Sequence, residues 1–449
     1  MSQPPVPPAG LPSTLGELLA SGHRQRSVKD ELRQNLLTAM RDGGRRFDGI
    51  VGFDDTVLPE LERALLAGHD LVLLGERGQG KTRLIRALVA LLDEWTPVIE
   101  GAEIGEHPYD PITPASVRRR DELGEDLPVA WRHRSQRYSE KLATPDTSVG
   151  DLVGDIDPVR VAQGRTLGDP ETIHFGLVPR THRGIFAINE LPDLAERIQV
   201  SLLNVLEERD IQVRGYQLRL PLDLLLVASA NPEDYTNRGR IITPLKDRFG
   251  AEIRTHYPLD LADEVALVEQ EARLVATVPS HVVEIVSRFT RAVRDSPSVD
   301  ARSGVSARFA IAAAETVAGA ALRRAALRGE QSAVARVGDT ESVVGTLRGK
   351  VEFESGEEGR EVEVLAHLLR TAVAETFRAH LAGLDLSGFV ALVHDGRQIE
   401  TGELVTAAEV LQQVGTVAGL AKVLERVGLG DAPSAGEAAA AVELVLEGL

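Results

Sequence analysis

A parallel α/β sandwich with β-hairpin insertions, followed by helices, is the fold that three features of this 449-residue chain predict. Short, wholly apolar runs alternate with helical patterns between residues 46 and 258, as strands buried on both faces do when crossover helices join them. One such run, Asp70 to Leu74, passes through a glycine-rich loop into a helix. Beyond residue 258 the strand-like runs stop and helical periodicity takes over. The chain accordingly divides into an N-terminal proline-rich tail and helical segment (1–45), an α/β core with insertions (46–258), a helical lid (259–330) and a mostly helical C-terminal extension (331–449).

Residues 1 to 11 are rich in proline and read as disordered. A helical stretch from about Thr14 to Arg41 carries Leu15, Leu18, Leu19, Leu32, Leu36, Leu37 and Met40 at spacings of three and four, and Gly43-Gly44 ends it. Strands are predicted at Leu71 to Gly75, Gly184 to Ile188, Leu222 to Ser229 and, at an edge, Glu252 to His256. A helix from Leu194 to Glu208 precedes Ile211 to Leu220, whose alternation about Gly215-Tyr216 reads as a hairpin. Residues 101 to 183 are too many for a simple crossover and hold two insertions, about Glu103 to Glu140 and about Val159 to Phe175. The second reads as a hairpin interrupting a helix. Further helices are predicted at Asp260 to Arg273, His281 to Asp295, Val305 to Arg328 and Leu365 to Leu384, the last after an acidic turn region from Glu352 to Glu363.

Composition bounds the function. Apolar residues at 43% and charged ones at 26% give a globular chain able to bury a core. Zero cysteines exclude disulfides, thiolate metal sites and cysteine nucleophiles. With no apolar run of 18 residues and no basic-then-apolar leader, the sequence reads as a cytoplasmic protein with no membrane association. A formal charge of −18, spread along the chain, makes nucleic acid an unlikely partner, and aromatics at 4% leave little to stack bases.

The chemistry starts at Gly75, Glu76, Arg77, Gly78, Gln79, Gly80, Lys81 and Thr82, which match G-x-x-x-x-G-K-[ST] between a strand and a helix. In that setting backbone N–H groups wrap a phosphate, Lys81 reaches the β/γ oxygens and the Thr82 hydroxyl meets Mg²⁺. A nucleoside triphosphate is the expected ligand. The strand from Gly184 ends in Asn189-Glu190, where Glu190 suits the acid that orients an attacking water. Asn189 takes the metal-side position as a neutral group, able to accept from a Mg²⁺-bound water through its carbonyl oxygen. Asn231 follows the next strand and is a candidate to hold the γ-phosphate or the attacking water. Arg248, beyond the sheet, is placed to act on a neighbouring subunit's γ-phosphate, and Arg308 opens the long helix of the lid.

In this order the residues resemble the AAA+ ATPases. The segments Phe175 to Leu191, Ala143 to Asp157 and Ser229 to Asp234 look like those of the magnesium chelatase ATPase subunit and its MoxR-like relatives. The hairpin at Ile211 to Leu220 and the Val159 to Phe175 segment look like that clade's insertions. Over residues 46 to 330 the resemblance implies a P-loop AAA+ αβα sandwich and a homo-oligomeric ring, usually a hexamer, with ATP and Mg²⁺ at each interface. It also implies a partner with a von Willebrand A domain. By resemblance Arg248 is the arginine finger, Asn231 the first sensor, Arg308 the second sensor and Arg183 a further interface arginine. Members of the clade typically carry Asp-Glu where this chain has Asn189-Glu190.

The leading reading is an ATP-hydrolysing motor that remodels or metal-loads a partner complex. Alternatives are a true magnesium-protoporphyrin chelatase subunit, or a slow nucleotide-gated assembly switch, which Asn189 motivates. An activator of alternative-sigma-factor transcription fits less well, because the chain lacks a Gly-Ala-Phe-Thr-Gly-Ala loop.

Overall fold

The computed structural model describes residues 5–44, 46–163, 172–207, 210–213, 216–232, 240–300, 304–394, 399–430 and 432–449. The chain folds into two compact units, Met1–Glu76 with Gly80–His256, and Arg77–Gln79 with Tyr257–Leu449.

The first unit is built on a five-stranded parallel sheet. Its strands are β1 (Leu71–Leu74), β4 (Tyr138–Leu142), β7 (Gly184–Asn189), β10 (Leu224–Ala230) and β11 (Ala251–Arg254), in the order β11-β1-β10-β7-β4. Accessory pairs are β2 (Trp95–Ile99) with β3 (Val129–His133), β5 (Gly154–Ile156) with β6 (Ile173–Phe175), and β8 (Asp210–Val213) with β9 (Tyr216–Arg219), all antiparallel.

The apolar strand runs follow from a sheet covered on both faces. Alternate side chains point to opposite sides. Leu71, Leu73, Ile185, Ala187, Leu225 and Val227 enter one core with the helices Val28–Arg41 and Val57–Ala67. Val72, Leu74, Phe186, Ile188, Leu226 and Ala228 enter the other, with the helix Glu196–Glu207. The β8–β9 pair realises the predicted hairpin on its described residues.

Two expectations are corrected. The single helix from Thr14 to Arg41 is two, Leu15–Ala20 and Val28–Arg41. Gly22, at φ 72°, turns the chain out of the first, and Ser27 caps the second by accepting from the Asp30 N–H. The insertion expected to run to Glu140 ends sooner, because 138–142 is the edge strand β4, in parallel register with β7 from Tyr138↔Ile185 to Leu142↔Asn189. Tyr138, Ser139, Glu140 and Lys141 are polar and half-buried and only the exposed Leu142 is aliphatic, so no apolar run announces it.

The true insertion and the N-terminal segment hold one another. Leu15 N–H donates to Leu127 O (2.9 Å) and Val129 N–H to Ser13 O (2.8 Å). Trp131 Nε1–H donates to Pro12 O (2.8 Å), and the His23 and His107 rings stack with centroids 5.3 Å apart. Deeper in, Glu31 and Arg137 form a bidentate pair at 2.7 and 2.6 Å, with side chains 4% and 1% exposed. Arg183, expected at an interface, is buried in this unit, at φ 58°, and donates to Pro97 O (3.1 Å).

In the second unit, residues 259–330 and 331–449 contribute to one continuous core. The helices Ser280–Asp295 and Glu361–Leu381 pack on each other, and Ala435–Gly448 runs through the middle with Ala439, Ala441, Val442, Leu444 and Val445 buried. The helix Ala307–Arg328 presents Ala310, Ala313, Ala314, Val317 and Ala321, a stripe of small residues that lets neighbours approach closely. Buried charges are paired: Arg324 with Asp339 and Glu330, and Arg336 with Glu443, which also accepts from the Gly338 N–H at 3.0 Å. No helix among the described residues is long and apolar enough to cross a membrane.

Candidate nucleotide site

Strands β1, β10 and β7 are neighbours in parallel register, so their C-terminal ends lie side by side. Open α/β sheets bind ligands beyond such ends. Gly75 follows β1 and donates its N–H to Ala230 O (3.1 Å), Asn231 follows β10, and Asn189-Glu190 closes β7.

The loop after β1 needs its glycines. Gly78 and Gly80 have φ of 77° and 73°, a region that L side chains rarely adopt. Gly80 is the N-cap of the helix Lys81–Ala87, and Lys81 and Thr82 are its first two residues, both half-buried. The Lys81 ammonium donates to Gly75 O, to Glu76 O (2.7 Å) and to Asn231 Oδ1 (2.8 Å). Lysine and the residue after β10 thus meet within the first unit.

The end of β7 is a chain of hydrogen bonds. Asn189, 7% exposed, donates from Nδ2 to Glu140 Oε1 on β4 (2.6 Å). Its Oδ1 accepts from Ser229 Oγ (3.1 Å), and Ser229 Oγ accepts in turn from the Glu190 N–H (3.3 Å). Glu190 stands at φ 55°, one of two non-glycine residues with positive φ among those described. Such strained residues gather at functional sites. Glu140 also accepts from Arg86 (2.9 and 3.1 Å) on the phosphate-loop helix and from the Tyr138 hydroxyl (2.8 Å). Burial alone would raise the Glu140 pKa, but the bonds from Arg86, Tyr138 and Asn189 hold it below the usual carboxylate range. Burial and the Glu140 carboxylate together push the Tyr138 hydroxyl up.

Arg248 is exposed in the last turn of the helix Thr243–Arg248. Arg308 is exposed at the second position of the helix Ala307–Arg328, in the second unit. Sequence reasoning missed Glu140 and Ser229. Ser229 lay in a predicted strand, and Tyr138 to Leu142 carries no apolar alternation that would mark the other.

The fit to a triphosphate with magnesium rests on the donor set. Magnesium bound with phosphates needs only one or two protein oxygens beside water, not a dedicated cage. Thr82 carries a hydroxyl and Asn189 an amide carbonyl, oxygens of the kind such a site would use.

A five-stranded parallel sheet with helices on both faces, a loop after β1 that matches the phosphate-loop pattern and a helical second unit give an α/β P-loop fold of the AAA+ type. Over about half of its length the chain is similar to magnesium-chelatase subunits of the ChlI/BchI type. It is 29% identical over 242 residues to "Magnesium-chelatase subunit ChlI" of Guillardia theta, covering 51% of this chain and 64% of that one. It is 31% identical over 232 residues to "Magnesium-chelatase 38 kDa subunit" of Cereibacter sphaeroides, covering 49% and 62%. The chain thus spans about three fifths of the length of these curated relatives. The Sigma-54 interaction domain family matches residues 166–248, the stretch that contains β7, β10 and Arg248. A solved complex of magnesium chelatase subunits BchI and BchD aligns with a TM-score of 0.37 at 22% identity, over 71% of this chain and 98% of that chain.

Proposed function

We propose that this chain is an ATP-binding and ATP-hydrolysing motor of the magnesium chelatase/MoxR type that remodels or metal-loads a partner complex. The observation that carries the reading is the meeting of Lys81 with Asn231, one strand away from Asn189-Glu190, at the C-terminal ends of β1, β10 and β7. The names of the relatives support the type.

In this reading the loop from Gly75 to Gly80 wraps the phosphates of ATP and Lys81 exchanges its carbonyl partners for β/γ oxygens. Thr82 and Asn189 would hold Mg²⁺, which when bound supplies charge neutralisation on the phosphate oxygens. Glu190 orients the attacking water, and Asn231, held by Lys81, marks the γ-phosphate position. Arg248 acts on the next subunit of a homo-oligomeric ring, a hexamer in the leading version, and Arg308 acts from the helical unit. The partner is a protein with a von Willebrand A domain.

The second reading, a nucleotide-gated switch with little turnover, is favoured by the neutral Asn189. Steady-state hydrolysis measured against protein concentration separates the two. A motor gives specific activity that rises with concentration and vanishes in Glu190→Gln and Lys81→Ala. Arg248→Ala is inactive alone and regains activity when mixed with Lys81→Ala, because each repairs a different side of an interface. Tight ATP binding with no turnover above that of Glu190→Gln points to the switch, and lack of recovery on mixing removes the trans role of Arg248.

A further inference from the structure

An acid normally precedes the water-orienting glutamate in such sites, and the geometry here says where its charge has gone. We propose that Glu140, on the strand beside β7, is a positioning residue that carries the negative charge of the metal-side end of the nucleotide site, with Asn189 as its oriented, neutral intermediary. The proposal rests on the reading of this site as one for ATP and Mg²⁺.

A carboxylate only accepts hydrogen bonds, so the Asn189 amino group must face Glu140 and its carbonyl must turn to Ser229. Ser229 in turn receives the Glu190 N–H. Glu140 therefore sets the amide orientation of Asn189 directly, and through Ser229 it reaches the backbone of the residue that orients water. A further partner, Arg86, lies four residues beyond Thr82 on the helix Lys81–Ala87, and residues four apart share a helix face. Glu140 is thus bound to the same face of that helix that presents the Thr82 hydroxyl.

The neutral side chain at 189 is then a requirement and not a loss. An aspartate there would place two carboxylates within the 2.6 Å that now separates amide from acid, and like charges at that distance repel. The charge is present once, on β4. Moving it to β7 demands removing it from β4.

That exchange is the test, using wild type, Glu140→Gln, Asn189→Asp and the double variant Glu140→Gln/Asn189→Asp. Affinity for a fluorescent ATP analogue is titrated with Mg²⁺ and with chelator, and the thermal midpoint is recorded for each protein. Partners one step removed from a metal typically change its affinity by about 10- to 100-fold. We expect each single variant to lose about tenfold of the Mg²⁺-dependent gain in nucleotide affinity, and the double variant to recover it. Glu140→Asp, which keeps the charge and shortens the arm, should fall between wild type and Glu140→Gln, and it preserves the test if Glu140→Gln unfolds the sheet edge. An unchanged Mg²⁺-dependent gain in Glu140→Gln, or a double variant no better than either single one, would overturn the proposal and leave Glu140 as a structural partner of Arg86. If wild type binds no nucleotide with or without Mg²⁺, the reading of the site falls and the proposal falls with it.

Discussion

Replacing Asn231 by aspartate changes one atom's chemistry at the centre of the site and leaves its shape alone. Asn231 Oδ1 lies 2.8 Å from the Lys81 ammonium, and Asn231 is only 6% exposed, so solvent screens the pair weakly. The native acceptor is a neutral amide oxygen. A carboxylate at that distance attracts the ammonium by about 6 kcal/mol at an effective dielectric of about 20, and it also repels the incoming phosphate. If half of that attraction must be surrendered when Lys81 turns to ATP, binding weakens by about 3 kcal/mol, roughly two decades in Kd. Asn231→Ala removes one hydrogen bond instead and costs about 1 kcal/mol, less than tenfold. Fluorescent-nucleotide titration at fixed ionic strength should therefore rank wild type tightest, Asn231→Ala next and Asn231→Asp weakest. An Asn231→Asp protein that binds ATP more tightly than Asn231→Ala would refute the placement of Lys81 as the phosphate-binding cation.

Two further outcomes test the packing around the site. Glu31→Gln strips the partner from an Arg137 that is 1% exposed, and an uncompensated buried charge costs about 3–5 kcal/mol. Chemical denaturation followed in the first unit should show a loss of that size, largely regained in Glu31→Leu/Arg137→Met, and a change below about 1 kcal/mol would count against the pair. In the second unit His380 Nε2 lies 2.6 Å from Glu284, and that hydrogen bond raises the His380 pKa against the opposing effect of burial. The raised value means that the stabilisation is complete below the ordinary histidine pKa of 6.5 and is lost as pH rises through the folded-state value. The thermal midpoint of this unit should fall as pH rises above 6.5, with a flatter profile in His380→Gln over the same window.

The parts of the fold legible in the sequence are those in which one residue type serves one purpose. β1, β7 and β10 are apolar on both faces because both faces are covered, and such runs stand out. β4 escapes the same reading because an edge strand that pairs on one side can carry Tyr138, Ser139, Glu140 and Lys141. The phosphate loop and Asn189-Glu190 are contiguous in sequence and were legible for that reason. Glu140 was not, since its meeting with Asn189 depends on the register that sets Glu140 opposite Ala187. The break between the first two helices was written in Ser21-Gly22 and in Ser27 with Asp30, but the leucine spacing on either side masks it. The pairing of the N-terminal segment with the insertion, Leu15 N–H to Leu127 O, joins positions far apart in the chain and so leaves no local signal.

The helix Ala435–Gly448 bears on how the second unit folds. It belongs to a core whose buried residues start at Val268, and its Glu443 meets the Gly338 N–H across 105 positions of chain. Helical proteins usually fold fast because their contacts are local, whereas contacts between distant positions must first meet the entropy of closing a long loop. Until residues 342–381 arrive, the alanine and valine faces of the helices Ala307–Arg328 and Ser280–Asp295 lack a wall, because the first packs on Ser342–Leu347 and the second on Glu361–Leu381. A fragment ending near residue 330 would keep those faces in water, and its tendency would be to associate with itself, so the helical lid is a unit of sequence but not of folding.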